Sequence, residues 1–210
     1  MLPGDFWSYT FPSSPIVGAS ICARFPQPAT LILDIWPPAF EIFPMALPYK
    51  IATLLYCFNE RGEVLLLERA QEPNRGCWSP CGGKLKMDLG ESPHACASRE
   101  AQEETGLKIA PPDLRLAGII SEHGYQGQTH WLMFLFEVKA TLKSLPPPHP
   151  EGRFQFFPRE KIMDLNIPQT DREQIWPWFW QFRGGFFAAH CHCHADGRNE
   201  WTLEEGRMKS

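Results

Sequence analysis

The feature that most constrains the fold is a single well-punctuated helix set among strand-like runs. Ser92 suits an N-cap, Pro93 the first helical position and Gly106 the residue just past the last turn. Those residue types satisfy orphan amides, pre-set φ and accept a left-handed backbone, respectively. Before this helix, KIATLLYCF and GEVLLLERA flank the turn Asn59-Glu60-Arg61-Gly62 and predict a β-hairpin. After it, LRLAGIISEH and THWLMFLFEVKA predict two more strands, and RFQFFPREKIMDL a short strand running into a turn of helix. Thr170-Asp171-Arg172-Glu173 predicts a capping box that opens a second helix, which Pro177 should kink or shorten. FFAAHCHCH and NEWTLEE flank Asp196-Gly197, a strong hairpin signal. The order is mixed α and β with antiparallel hairpins.

Composition narrows the class. Of 210 residues, 43% are hydrophobic and 21% charged, which excludes disorder throughout. The formal charge is -4 and there is no Lys or Arg run, which argues against a nucleic-acid polymer as partner. No apolar run is long enough for a membrane helix, so no membrane partner is expected. The start, MLPGDFWSYT, has an acid and no base, wrong for a signal peptide; seven Cys then read as reduced thiols of a cytoplasmic protein. Residues 1–44 hold eight Pro and four charged residues, and no helical or strand period survives in them. They read as an N-terminal extension that is poorly ordered or outside the core. The expected organisation is therefore 1–44, a main domain over 45–183, and a terminal hairpin and tail over 184–210. The terminal hairpin is expected to pair Cys191 with Thr202 and Cys193 with Glu200, with the Cys face wetter.

The chemistry lies between Gly82 and Leu107. On a helix at 100° per residue, Glu100, Glu103 and Glu104 fall within an arc of about 100°. Three carboxylates with no compensating Lys repel one another, and acids near a helix C-terminus also face the negative end of its dipole. Such a face asks for a cation, and all-oxygen ligands suit hard divalent ions, Mg²⁺ first and Mn²⁺ next. The competing reading is an acidic solvated face.

The window GGKLKMDLGESPHACASREAQEETGL resembles the Nudix hydrolase signature, G-x5-E-x7-R-E-U-x-E-E-x-G-U with U aliphatic. From Glu91 through Arg99, Glu100, Glu103, Glu104 and Gly106 to Leu107 the spacing matches, with Ala101 at the first U. The signature glycine would fall at Leu85. Gly83 lies two residues earlier, which implies a two-residue insertion between Leu85 and Gly90. The resemblance implies an α/β/α sandwich with a mixed sheet, and hydrolysis of a nucleoside diphosphate linked to X. A nucleoside triphosphate, oxidised or not, is slightly preferred, on the lead-in Gly76 to Lys84. It implies that Glu100, Glu103 and Glu104 hold Mg²⁺ or Mn²⁺, with the Gly83 carbonyl as a further ligand. Arg99 would orient the box through Glu91; Lys84 reads either as a further phosphate contact or as a solvated loop charge. Glu103 or Glu122 would act as general base, with His123 or His130 assisting. The alternatives are a catalytically silent nucleotide-binding or regulatory module and a nucleotide-sugar diphosphatase; a homodimer is compatible with either.

Two other features compete for attention. In HCHCH, strand alternation puts His190, His192 and His194 on one face and Cys191 and Cys193 on the other, so one tetrahedral zinc cannot easily take both sets. The tryptophans Trp78, Trp131, Trp176, Trp178 and Trp180 are expected mainly in the core, with one or two free to stack on a nucleobase.

Overall fold

The computed structural model describes residues 47–209. The extension over 1–44 lies outside the described residues. Ten elements follow in chain order: β1 (Tyr49–Asn59), β2 (Val64–Arg69), β3 (Trp78–Ser79), α1 (Pro93–Thr105), β4 (Leu114–Tyr125), β5 (Thr129–Leu142), β6 (Gly152–Phe157), α2 (Trp176–Gln181), β7 (Phe186–Cys193) and β8 (Asn199–Arg207). The strands make one mixed sheet in the order β3-β2-β1-β5-β4-β7-β8, with β6 on the outer edge of β2. β1 runs parallel to β5 and β4 parallel to β7, while the hairpin pairs are antiparallel. The terminal hairpin thus continues the sheet.

Alternation along β1 builds two cores. Leu55 and Cys57 face Ala97 and Ala101 of α1, while Tyr56 and Phe58 face Trp176 and Phe179 of α2. One helix therefore covers each face of the sheet, the α/β/α arrangement that the resemblance implies. Ser92 caps α1 by accepting a hydrogen bond from the Ala95 amide at 3.2 Å, and Gly106 ends it at φ 75°.

Three local expectations are corrected. The β1–β2 hairpin opens after its turn: Phe58 pairs with Val64, but further along the edge of β1 is taken by Cys81–Leu85. The Thr53 amide donates to the Gly83 carbonyl at 2.8 Å and the Leu55 amide to Cys81 at 2.7 Å.

Thr170 makes no cap hydrogen bond. Asp171–Ile175 is a π-turn ahead of α2, and Glu173 accepts instead from Gln169, Asn199 and Trp201. The wider turn makes room for Pro177, whose ring would clash with the carbonyl four residues back in a regular helix.

The terminal hairpin has a three-residue loop, with His194 opposite Arg198 and Gly197 at φ 85°. The register moves by one, so Cys191 meets Trp201 and Cys193 meets Asn199. The Cys face is the drier one: Cys191 is fully buried and His192 exposed.

Candidate active site

The box starts from Arg99. Its Nε and Nη2 grip the two Glu91 oxygens at 2.8 and 2.9 Å. Its Nη1 reaches Glu100 at 2.6 Å and Glu103 at 3.0 Å, and its Nη2 also donates to the Lys84 carbonyl at 3.2 Å. Glu91 in turn accepts from the Lys86 amide at 2.8 Å. This closes the longer loop: Met87–Leu89 forms one 3₁₀ turn, and Gly90 at φ 62° brings the chain back to Glu91. The Arg99 guanidinium pulls the Glu91 carboxyl down to about 2.

Two glycines let the lead-in approach the helix. A β-carbon on Gly82 would sit 2.1 Å from the Thr53 carbonyl oxygen, and one on Gly83 would sit 2.1 Å from Glu100 Oε1. Gly83 therefore meets Glu100 despite the lengthened loop, and the Gly82 amide donates to Glu104 at 3.0 Å. Burial raises Glu100, and it pushes Glu104 up to about 8, helped by the charges of Glu100 and Glu151. Glu103 is half exposed.

Glu151 was not singled out in the sequence. It precedes β6, and its backbone is tied to the Ala70 amide at 2.7 Å. The only signal for it is the glycine that follows. A β-carbon on Gly152 would lie 1.9 Å from the Glu68 carbonyl oxygen, so the chain must enter the sheet closely there.

A cavity of ≈ 380 Å³ opens beside these groups, lined near the box by Gly82, Gly83, Lys84, Glu100 and Glu151. Its other lining includes Trp131, Met133, Glu122, Thr170 and Asp171. Glu122 lines the same cavity as Glu100, beside Thr170 and Asp171. Burial pushes it up to about 8, the neighbouring Asp171 adds to the rise, and one oxygen has no hydrogen-bond partner. Asp171 is pushed up to about 7 by burial alone. Thr170 and Asp171, which the sequence predicts as helix-capping residues, line the cavity instead.

His123 and His130 are not part of the cavity lining. Their rings stack at 4.6 Å, and the row continues to His192 at 4.5 Å and to His194 at 4.2 Å. Among the described residues no three His, Cys, Asp or Glu side chains converge as a closed metal cage. In the box the reason is Arg99, which occupies Glu100 and Glu103. The donor set still suits a hard cation: carboxylates, a backbone carbonyl, and a buried Glu104 with no basic side chain paired to it. Among the described residues no helix is long and apolar enough to cross a membrane.

A sequence model of the NUDIX domain matches residues 48–179. The chain belongs to the Nudix family. It is 34% identical over 110 residues to the uncharacterized Nudix hydrolase YvcI of Bacillus subtilis, covering 52% of this chain and 66% of YvcI. It is 30% identical over 110 residues to the 8-oxo-dGDP phosphatase NUDT18 of Mus musculus, covering 51% of this chain and 31% of that protein. The chain thus spans just under two thirds of the first of these and about a third of the second. An RNA pyrophosphohydrolase of Rhodospirillum rubrum is 31% identical over 139 residues, covering 58% of this chain and 80% of that one. The fold of a MutT protein from Bacillus halodurans superimposes with a TM-score of 0.59 at 24% identity, over 74% of this chain and 97% of that one. The three sequence relatives carry hydrolase, phosphatase or pyrophosphohydrolase names.

Proposed function

We propose that this Nudix chain hydrolyses a phosphoanhydride bond of a nucleotide, with a nucleoside triphosphate as the preferred class. The observation that carries the reading is one cavity with two kinds of acid. Glu100 and Glu151 line it beside Gly83 and Lys84, while Glu122 and Asp171 line it with Trp131.

Glu100, Glu103 and Glu104, with the Gly83 carbonyl, would hold a divalent cation, Mg²⁺ before Mn²⁺. When bound, such an ion lowers the pKa of a water and offsets phosphate charge. Without a cation, each carboxylate–phosphate charge pair at 4 Å repels by about 4 kcal/mol at an effective dielectric near 20.

The chain's own residues do the rest. Arg99 fixes the loop and two acids in one geometry. Lys84, exposed at the cavity, offers its ammonium to a phosphate. Glu151 supplies an acid next to Glu100 and Glu104, which makes it a stronger general-base candidate than Glu122. Glu122 and Asp171 can hydrogen-bond a base edge, as donors when protonated and acceptors when ionised, and Trp131 can stack on it.

The relative named 8-oxo-dGDP phosphatase supports including oxidised guanine nucleotides among the substrates. The RNA pyrophosphohydrolase relatives support a second reading, the 5′-triphosphate end of RNA, even though the chain carries no basic run. The test is phosphate or pyrophosphate release with Mg²⁺ over a panel of plain and oxidised nucleoside triphosphates, nucleotide sugars and triphosphorylated RNA. Activity confined to nucleotide sugars or to RNA would replace the first reading; no turnover on any of them, with nucleotide binding retained, would favour a silent binding module.

A further inference from the structure

We infer that Cys191 and Cys193 form a peroxide-oxidisable dithiol, a modification site on the strand that backs the Glu122 side of the cavity. The two residues alternate along β7 and so share a face. Their Sγ atoms stand 3.7 Å apart. Cys191 is fully buried, whereas Cys193 is half-buried at the last position of the strand. An oxidant therefore meets Cys193 first, with a second thiol directly behind it.

Electrostatics points the same way. The contact with Cys191 lowers the Cys193 thiol, and the same contact raises Cys191. Elsewhere Cys77 and Cys96 are pushed up by burial, and Cys81 by its contact with Cys57. Reactive thiols are those with thiolate character and access, next to a resolving partner.

The chemistry closes with hydrogen peroxide as oxidant. The Cys193 thiolate attacks one peroxide oxygen, the O–O bond breaks and hydroxide leaves, and Cys193 becomes a sulfenic acid. The Cys191 sulfur then attacks the Cys193 sulfur, the S–O bond breaks, and water leaves with the Cys191 proton. The net change is two thiols and one peroxide to one disulfide and two waters.

Formation of the bond has a structural consequence. Residues two apart on an extended strand have Cα atoms roughly 6.6 Å apart, near the upper limit for a disulfide. The end of β7 must pucker, and a strained bond of this kind is readily reduced. Cys191 is the register partner of Glu122 on β4 and of Trp201 on β8. Trp201 and Asn199 both donate to Glu173, two residues beyond Asp171. Puckering thus loads the supports of both acids that line the cavity with Trp131. This coupling rests on the proposed nucleotide site; the thiol chemistry does not.

The experiment treats the reduced full chain with near-stoichiometric hydrogen peroxide, blocks remaining thiols, and maps tryptic peptides by mass. The peptide over 184–198 should lose about 2 Da, the two hydrogens of a thiol pair becoming a disulfide, and dithiothreitol should restore it. Cys193→Ser should abolish the loss, and Cys191→Ala should leave a sulfenic acid at Cys193 that dimedone traps. Preferential oxidation of Cys77, or conversion of Cys193 to sulfinic acid in the wild type without a bridge, would overturn the proposal. If Cys191→Ala does not fold, the wild-type peptide map with Cys193→Ser still decides. In turnover assays the oxidised form should show a several-fold higher KM with kcat less affected. An unchanged KM in bridged protein would overturn the coupling to the cavity.

Discussion

Gly83 lies so close to Glu100 that a β-carbon on it would fall 2.1 Å from the Oε1 of that carboxylate. The contact is between the loop that leads into the helix and the middle of the helix itself. It follows from Cys81–Leu85 pairing along β1, which fixes the Gly83 carbonyl on the Thr53 amide. Gly83→Ala must therefore displace Glu100 or break that pairing. We expect turnover to fall by ~10²-fold, as misplaced catalytic geometry does, with weaker Mn²⁺ binding by titration calorimetry. Wild-type turnover in the Ala variant would remove Gly83 from the site.

Glu103→Gln and Glu104→Gln keep shape and delete one negative oxygen ligand each. Each should lower turnover by roughly 10²–10⁴, the range for a lost acid–base or electrostatic group. Melting without added metal should be unchanged or higher, because Glu104 is buried among other acids. Steady-state rates at saturating Mg²⁺ with thermal melts check both. If both variants turn over like the parent, the box is not the reaction centre.

Arg99→Lys tests positioning. Lysine cannot hold both Glu91 oxygens and reach Glu100 and Glu103 at once. The loop 85–91 should loosen, with a stability loss of about 1–3 kcal/mol for the hydrogen bonds left unmade. We expect kcat to fall more than KM rises. Urea unfolding and rate measurements on this variant and on Glu91→Gln should show the same pattern, since the two residues act as one clamp.

The buried acid Glu122 gives a pH signature. Its pKa in the folded chain is about 8 against an ordinary 4.5. The folded state therefore holds its proton more tightly than the unfolded state, and stability falls as pH rises through this window. This contribution is complete below about pH 4.5 and lost above about pH 8. Glu122→Gln removes a charge that must otherwise form in a buried site, so its advantage over the parent should grow from pH 5 to pH 9, by roughly 4 kcal/mol. Denaturant midpoints at those two pH values measure it. Parallel pH profiles for variant and parent would mean that Glu122 is not buried as described.

What the chain determines by itself is local. The cap at Ser92, the stop at Gly106 and the 3.6-residue period place Glu100, Glu103 and Glu104 on one helix face, and the spacing from Glu91 to Arg99 already carries the Nudix signature. Strand alternation likewise separates the His and Cys faces of β7. Tertiary structure decides everything that depends on which strand edges meet. Opening of the first hairpin brings Gly83 to Glu100 across a lengthened loop. Pairing of β6 with β2 follows the loop that carries Glu151 beside the box. A π-turn replaces the expected capping box and leaves Asp171 in the cavity with Glu122. One extra loop residue slides the terminal hairpin by a single register and sets Trp201, rather than Thr202, opposite Cys191. The first three outcomes rest on contacts between residues well apart in the chain, and a strand's side-chain period of two carries no information about which partner, or which register, will be chosen.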